Sequence, residues 1–235
     1  MPDAFHREIL SELKKHAGHG TSHSGNGSYS GNEHFSYHLS APLRKEITRA
    51  FLRKHKDMPF GEFPDLLDAL FAAPSHDEKL IASIFIKHSR AYRQLLAPER
   101  LDGWLDHLMG WAEVDALCQS NFTADEMLAD WAAWRKILQV FSRSEHIHER
   151  RASLVLLTGP VAHSADSRLA QLAFRNVHRL KEEKNALITK AISWLLRSLV
   201  QHHKRELAAY LKENRESLLK VAIRETERKL LTGRK

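Results

Sequence analysis

Hydrophobic residues recur along almost the whole chain at intervals of three and four positions, which is the period of an amphipathic helix. Convincing alternation of apolar and polar residues, the pattern of a half-buried strand, is missing from the sequence. The pattern therefore predicts an all-α protein of about a dozen helices. We expect these helices at residues 3–17, 41–56, 62–73, 76–96, 98–109, 111–119, 124–141, 145–158, 165–179, 182–202, 204–213 and 215–231.

Capping signals mark several of the helix ends. "SHDE" at Ser75 and "TADE" at Thr123 read as capping boxes, "SAPLRKE" places a proline in a first turn, and "TGP" at residues 158–160 is expected to end a helix. The connections are short, which favours antiparallel neighbours. A series of such helix pairs stacks naturally into a superhelical solenoid with a concave face, although the sequence shows no clean repeat.

We expect one domain over residues 1–235, with a single irregular loop at residues 18–35. Glycine, serine and asparagine dominate this loop, and its histidines (His19, His23 and His34) raise the question of a metal site. Here no His-x3-His pair falls on a helix, and no cysteine or paired carboxylate completes a ligand set. The sequence therefore predicts neither a metal nor another cofactor.

The composition predicts a cytoplasmic protein. In a bacterium we expect it in the cytoplasm or the nucleoid. The 235-residue chain has a single cysteine, Cys118, and its longest apolar runs are far shorter than the roughly 20 residues of a membrane span. The net charge is +7, but it is unevenly placed. Acidic residues outnumber basic ones thirteen to six in residues 61–135, whereas basic residues lead sixteen to seven in residues 175–235. A basic C-terminal third suits a polyanion such as DNA, although a solvated helix face would look the same.

Three places break the local pattern of their helices. Trp111 lies four positions before Asp115, so both side chains share one face at the margin of the packed side. Arg151 lies within an apolar stripe, where a guanidinium needs a partner. Trp194 lies between a core stripe and a basic flank that includes Lys190. Each of these residues has a structural explanation when taken alone, but several violations together are typical of a functional site.

A carboxylate between two indoles, beside an arginine and a basic surface, would suit a positively charged species attached to a polyanion. A purine alkylated at N3 or N7 is such a species, because it carries a positive charge and remains joined to DNA. Its glycosidic bond is also weakened.

Four segments, in order, resemble the AlkD family of DNA alkylation repair proteins. "SYSGNEHFSYHLSAPLRKEI" resembles the opening of that family, and "WAEVDAL" resembles its Trp-x3-Asp segment. "ERRASLVLL" and "ITKAISWLLRSL" resemble its Arg-Arg-Ala and Lys-Ala-Ile-x-Trp segments. The resemblance covers about residues 28 to 230. No single motif is specific, but four in this order are.

The resemblance implies a superhelix of HEAT-like helical pairs that cradles duplex DNA, and a glycosylase that releases cationic alkylpurines in base excision repair. It implies that Asp115 is the catalytic carboxylate, with Trp111, Trp194 and Arg151 beside it. It also implies recognition along the sugar-phosphate backbone without a deep base pocket, by a protein that we expect to be monomeric. The expected DNA contacts are Tyr29, Arg44, Arg150, Lys190 and Arg197.

Two other functions remain open at this stage. A non-catalytic module that binds DNA structure could use the same solenoid. This function would be favoured in family branches that lack the two tryptophans, whereas this chain keeps both. A helical-repeat adaptor for other proteins would use apolar grooves in place of a basic surface.

Overall fold

The computed structural model describes residues 4–18, 31, 33–119 and 121–233. This part of the chain contains fourteen α-helices and no β-strand, so the prediction of an all-α protein is confirmed. None of the described helices is both long enough and apolar enough to cross a bilayer. The helices are α1 Ala4–Lys15, α2 Ala41–Lys54, α3 Glu62–Ala72, α4 His76–His88, α5 Arg90–Arg93, α6 Arg100–Leu105, α7 Gly110–Cys118, α8 Ala124–Ala129, α9 Trp131–Phe141, α10 Ile147–His163, α11 Ser167–Leu180, α12 Ala186–Leu199, α13 Lys204–Glu213 and α14 Lys220–Thr232.

The structure differs from the expected helices in two internal breaks, in one helix stop and by a few residues at several other ends. The helix expected at 76–96 breaks at Ser89, and the one expected at 124–141 breaks at Asp130, because both residues leave the helical region of backbone conformation. The expected stop at "TGP" is wrong, since α10 continues through Pro160 to His163. An internal proline removes one backbone hydrogen bond. Here Pro160 and Val161 are both buried, and their packing offsets that loss.

The chain forms two compact units, Met1–Leu117 and Cys118–Lys235. In the first unit, α3 packs against α1, α4 and α6, and α4 also packs against α2. Phe63, Phe71 and Phe85 are fully buried among these helices. In the second unit, α10 packs against α12 and α12 packs against α14, while α8, α9 and α11 also contact α10. The single domain and the superhelical stacking stay predictions.

Hydrogen bonds between polar groups stabilise the corner between α3 and α4. The Ser75 hydroxyl caps α4 by accepting the Glu78 N–H at 3.2 Å, and it donates to the Glu78 carboxylate at 2.5 Å. The buried Lys79 ammonium donates to the Phe71 and Ala73 carbonyls at 2.6 and 2.5 Å. These carbonyls are at the end of α3, where helical partners run out. One lysine therefore closes the end of one helix from the start of the next.

A buried ion pair joins α2 to α4. The Asp77 carboxylate is inaccessible to solvent, and it accepts hydrogen bonds from Arg44 at 2.6 Å, from the Tyr37 N–H at 2.7 Å and from the Ser36 hydroxyl at 2.8 Å. Arg44 also donates to the Leu39 carbonyl at 2.7 Å. The guanidinium of Arg44 thus balances a buried negative charge, whether or not it also contacts DNA as expected from the sequence.

The Arg44→Met variant separates these two roles. Because it leaves the Asp77 charge buried without its cation, we expect the free energy of unfolding to fall by about 3 kcal/mol. Urea denaturation measures this decrease. Arg49→Met is the matched control, because Arg49 is an exposed arginine on the same helix. Unchanged stability of Arg44→Met together with weaker DNA binding would show that Arg44 acts on DNA alone.

Candidate active site

The helix α7 carries the Trp-x3-Asp segment in the first unit. Trp111 and Asp115 lie one helical turn apart and are both half-buried, whereas Val114 and Leu117 are fully buried. The two predicted site residues therefore lie at the margin between the packed side of the helix and solvent. A carboxylate at such a margin is within reach of a ligand and is also partly shielded from water, which strengthens its electrostatic interactions.

The start of α7 depends on a glycine. Gly110 is buried and has a φ of +69°, a conformation that is strained for residues with a side chain. Gly31, from the opening segment of the resemblance, also has a positive φ of +65°. A Cβ atom on Gly31 would lie 3.6 Å from the Cα of Gly110. The two backbones thus approach closely where α7 begins.

Glu113 connects α7 to other segments of the first unit, and its role was not predicted from the sequence. Its carboxylate is 0% exposed and accepts hydrogen bonds from His76 Nδ1 at 2.7 Å, from the Met109 N–H at 2.8 Å and from His34 Nδ1 at 3.1 Å. A signal was present, because Glu113 shares a helix face with the apolar Leu117, which is the same argument that singled out Arg151.

Glu113 remains a carboxylate in this buried position. Burial acts to raise the pKa of Glu113, but the hydrogen bonds from His76, Met109 and His34 outweigh it and lower the pKa below the ordinary 4.5. The stabilisation by the charged form is therefore present above pH 4.5 and is lost as the pH falls through the lowered pKa. His34, one of the histidines that raised the question of a metal site, donates to this carboxylate in the structure. His19 and His23 lie outside the described residues.

In the second unit, Arg151 connects two helices. Arg151 is 4% exposed on α10, and its Nη1 donates to the carbonyl of Leu187 in the first turn of α12. Trp194 lies on α12 and is half-buried. Because α10 and α12 pack against each other, the structure places Arg151 and Trp194 on neighbouring helices.

The basic residues expected to contact DNA have different surroundings. Lys190 is exposed on α12, and the Arg197 Nε donates to the Ser193 carbonyl at 3.1 Å while its Nη1 lies 3.7 Å from the Glu225 carboxylate. The Arg197 side chain thus contacts the backbone of its own helix, α12, and a carboxylate of α14.

Arg150 stabilises the start of α10. It donates to the Ser144 and Glu145 carbonyls at 2.9 and 2.7 Å, and its Nε lies 2.7 Å from the Glu183 carboxylate. These contacts give Arg150 a structural role, and its contact with DNA stays a prediction.

The structure therefore brings the site residues together in two groups. Trp111 and Asp115 share α7 in the first unit, and Arg151 and Trp194 lie on the adjoining α10 and α12 in the second. The joint site of all four residues stays a prediction. Tyr29, the remaining expected DNA contact, lies outside the described residues.

Comparison with known proteins agrees with the resemblance seen in the four segments. Residues 9–230 match the family model described as DNA alkylation repair enzyme. A solved structure described as a predicted DNA alkylation repair enzyme from Enterococcus faecalis has the same fold, with a TM-score of 0.71, 17% identity, and coverage of 89% of this chain and 94% of that chain. No curated protein matches the sequence significantly. Because the family model spans most of its length, this chain belongs to the DNA alkylation repair enzyme family.

Proposed function

We propose that this protein is a DNA glycosylase that releases purines alkylated at N3 or N7 from duplex DNA, as a hydrolase of base excision repair. Membership of the DNA alkylation repair enzyme family supports a reaction on alkylated DNA. The observation that carries the proposal further is the pairing of a half-buried Asp115 with a half-buried Trp111 on one face of α7. A carboxylate beside an indole suits a cationic reacting group.

Cleavage of the bond between C1′ and the base nitrogen builds oxocarbenium character on the deoxyribose, as in glycoside hydrolysis. The Asp115 carboxylate would stabilise this cation electrostatically and orient the water that attacks C1′. The bonding electrons leave with the alkylated base, which becomes neutral. Alkylation has already supplied the positive charge of the leaving group, so the enzyme needs no general acid to protonate the base.

The two tryptophans and Arg151 would complete this site. An indole face attracts a cation, and each such contact contributes about 0.5–2 kcal/mol when water is excluded. Trp111 and Trp194 can both serve in this way, and they also keep bulk water from the sugar. Arg151 would contribute the positive charge of its guanidinium to the binding of a neighbouring phosphate.

Binding of duplex DNA would depend on the basic second unit. Lys190 is exposed on the same helix as Trp194, and Arg197 lies one turn further along. Contacts of such residues with phosphate fix the position of the protein on DNA without reading the base. Tyr29, Arg44 and Arg150 are further proposed contacts with the backbone.

The Asp115→Asn variant tests the catalytic role. The wild-type protein should release 7-methylguanine or 3-methyladenine from methylated duplex DNA, and EDTA should leave the rate unchanged. Asp115→Asn should abolish release, because it removes the carboxylate, while DNA affinity stays equal or rises slightly. Single-turnover base release and fluorescence anisotropy measure the two quantities. Asp125→Asn, which changes an exposed carboxylate on α8, is the matched control.

Two outcomes would contradict this assignment. Tight DNA binding by the wild-type protein without release of either base would favour the non-catalytic DNA-binding module. If Asp115→Asn instead melts several degrees lower and loses binding along with activity, the carboxylate has a structural role only.

Neutralising the basic residues of α12 tests the DNA contacts. Lys190→Gln with Arg197→Gln should weaken binding to alkylated and unmodified duplex alike, because interactions with phosphate carry no base information. Each phosphate interaction that the variant removes should flatten the plot of log affinity against log salt by about one unit. Trp194→Ala should reduce base release far more than it changes this slope. Lys56→Gln with Lys87→Gln, which removes two exposed charges from the first unit, is the control. If the variant with Lys190→Gln and Arg197→Gln keeps the wild-type affinity and salt dependence, the DNA does not bind at α12.

A further inference from the structure

We propose that Glu113 is a positioning residue, whose buried carboxylate fixes α7 so that Trp111 and Asp115 keep one orientation. The proposal rests on the proposed function for its effect on catalysis, but its effect on α7 can be measured without any reaction. Glu113 lies two positions from each of the two site residues and points to the packed side of the helix, whereas they lie at its margin. It is therefore placed to act through them and not on the substrate.

On its own, α7 cannot fix its orientation. It has nine residues, and isolated helices shorter than about 12–15 residues are marginal in water. Its buried apolar residues Val114, Leu117 and Cys118 anchor one side, but apolar contact has no direction and allows a helix to rotate and slide. Hydrogen bonds do have direction, and Glu113 supplies them at the first turn of the helix.

The Glu113 carboxylate joins the start of α7 to two other segments. His34 comes from the segment before α2, His76 is the first residue of α4, and Met109 precedes α7. The partners are themselves held, because the His76 N–H donates to the Phe35 carbonyl at 2.7 Å. The Glu33 N–H also lies 3.2 Å from the Met109 sulfur. The start of α7 is thus tied to the segment before α2 and to α4.

The buried charge of Glu113 makes this arrangement specific. A carboxylate that moved away from its donors would stay buried without partners, and this penalty disfavours other orientations of the helix. A neutral amide at the same position would carry a much smaller penalty. It would also present N–H groups to histidine Nδ1 atoms that now donate. Replacing Glu113 by glutamine therefore removes the restraint and keeps the shape.

Hydrogen exchange of the α7 amides tests this inference directly. In Glu113→Gln, the amides of residues 111–118 should exchange about tenfold faster or more, because opening of the helix no longer strands a charge. Glu78→Gln is the matched control. Glu78 is another buried carboxylate of the first unit, 1% exposed and bonded to His6 and Ser75, and neither of these partners belongs to α7. The control variant should lower global stability and leave the relative protection of α7 unchanged.

Base release supplies the catalytic readout. Single-turnover release should fall about tenfold or more in Glu113→Gln, while the dissociation constant for DNA stays within about twofold, because the defect lies in orientation and not in binding. His76→Leu should show the same defect, and His76→Gln, which keeps an N–H donor, should recover part of the rate.

The outcomes distinguish the two claims. Unchanged exchange of α7 in Glu113→Gln, or a wild-type rate of release in that variant, would overturn the positioning role. If the wild-type protein releases no base, the proposed function fails, and the exchange experiment still decides whether Glu113 positions α7. Should Glu113→Gln not fold, His34→Leu and His76→Leu provide the same test, because each removes a donor to Glu113 from a side chain that is 20% exposed, and the same exchange result is expected.

Discussion

The need to balance buried charge at the start of α4 organises the first unit. Three consecutive residues there, His76, Asp77 and Glu78, each connect to a different part of the chain. Asp77 holds Arg44 of α2, Glu78 holds His6 of α1 at 2.7 Å, and His76 holds Glu113 of α7. A buried carboxylate that loses its donors is costly, so each connection fixes its partner segment in place. Apolar packing makes the unit compact, and these polar contacts determine which arrangement of helices is adopted.

This arrangement of helices determines the geometry of the candidate site. Trp111 and Asp115 lie at the margin of a short helix that is held at its first turn by Glu113, and Gly110 with its positive φ sets the point where that helix begins. In the second unit, Arg151 plays a comparable part by joining α10 to the start of α12, the helix of Trp194. Residues expected to act on DNA and residues that hold the fold are thus neighbours along the sequence, as Glu113 and Asp115 illustrate. Electrostatic stabilisation of a transition state requires side chains that are held in fixed positions in this way.

Features that depend on local sequence could be predicted, and those that depend on distant contacts could not. The all-α class followed from periodicity, and the capping box of α8 followed from "TADE", where the Thr123 and Glu126 side chains and N–H groups bond reciprocally. The role of Glu113 was missed because its histidine partners lie 37 and 79 positions away. The burial of Arg44 against Asp77 was hidden in the same way. The continuation of α10 through Pro160 depends on packing, which overrides a local signal for a helix stop.

The proposed catalytic role of the Asp115 carboxylate is to stabilise a positive charge on the deoxyribose. Its most direct test is the affinity of the protein for duplex DNA that contains a sugar analogue with a ring nitrogen, protonated and therefore cationic, compared with duplex that contains a neutral abasic analogue of the same shape. An enzyme binds a mimic of its transition state more tightly than a mimic of its ground state. We expect the wild-type protein to prefer the cationic analogue by about tenfold or more, and Asp115→Asn to lose that preference while keeping its affinity for the neutral duplex. Equal affinity of the wild-type protein for both duplexes would contradict the account.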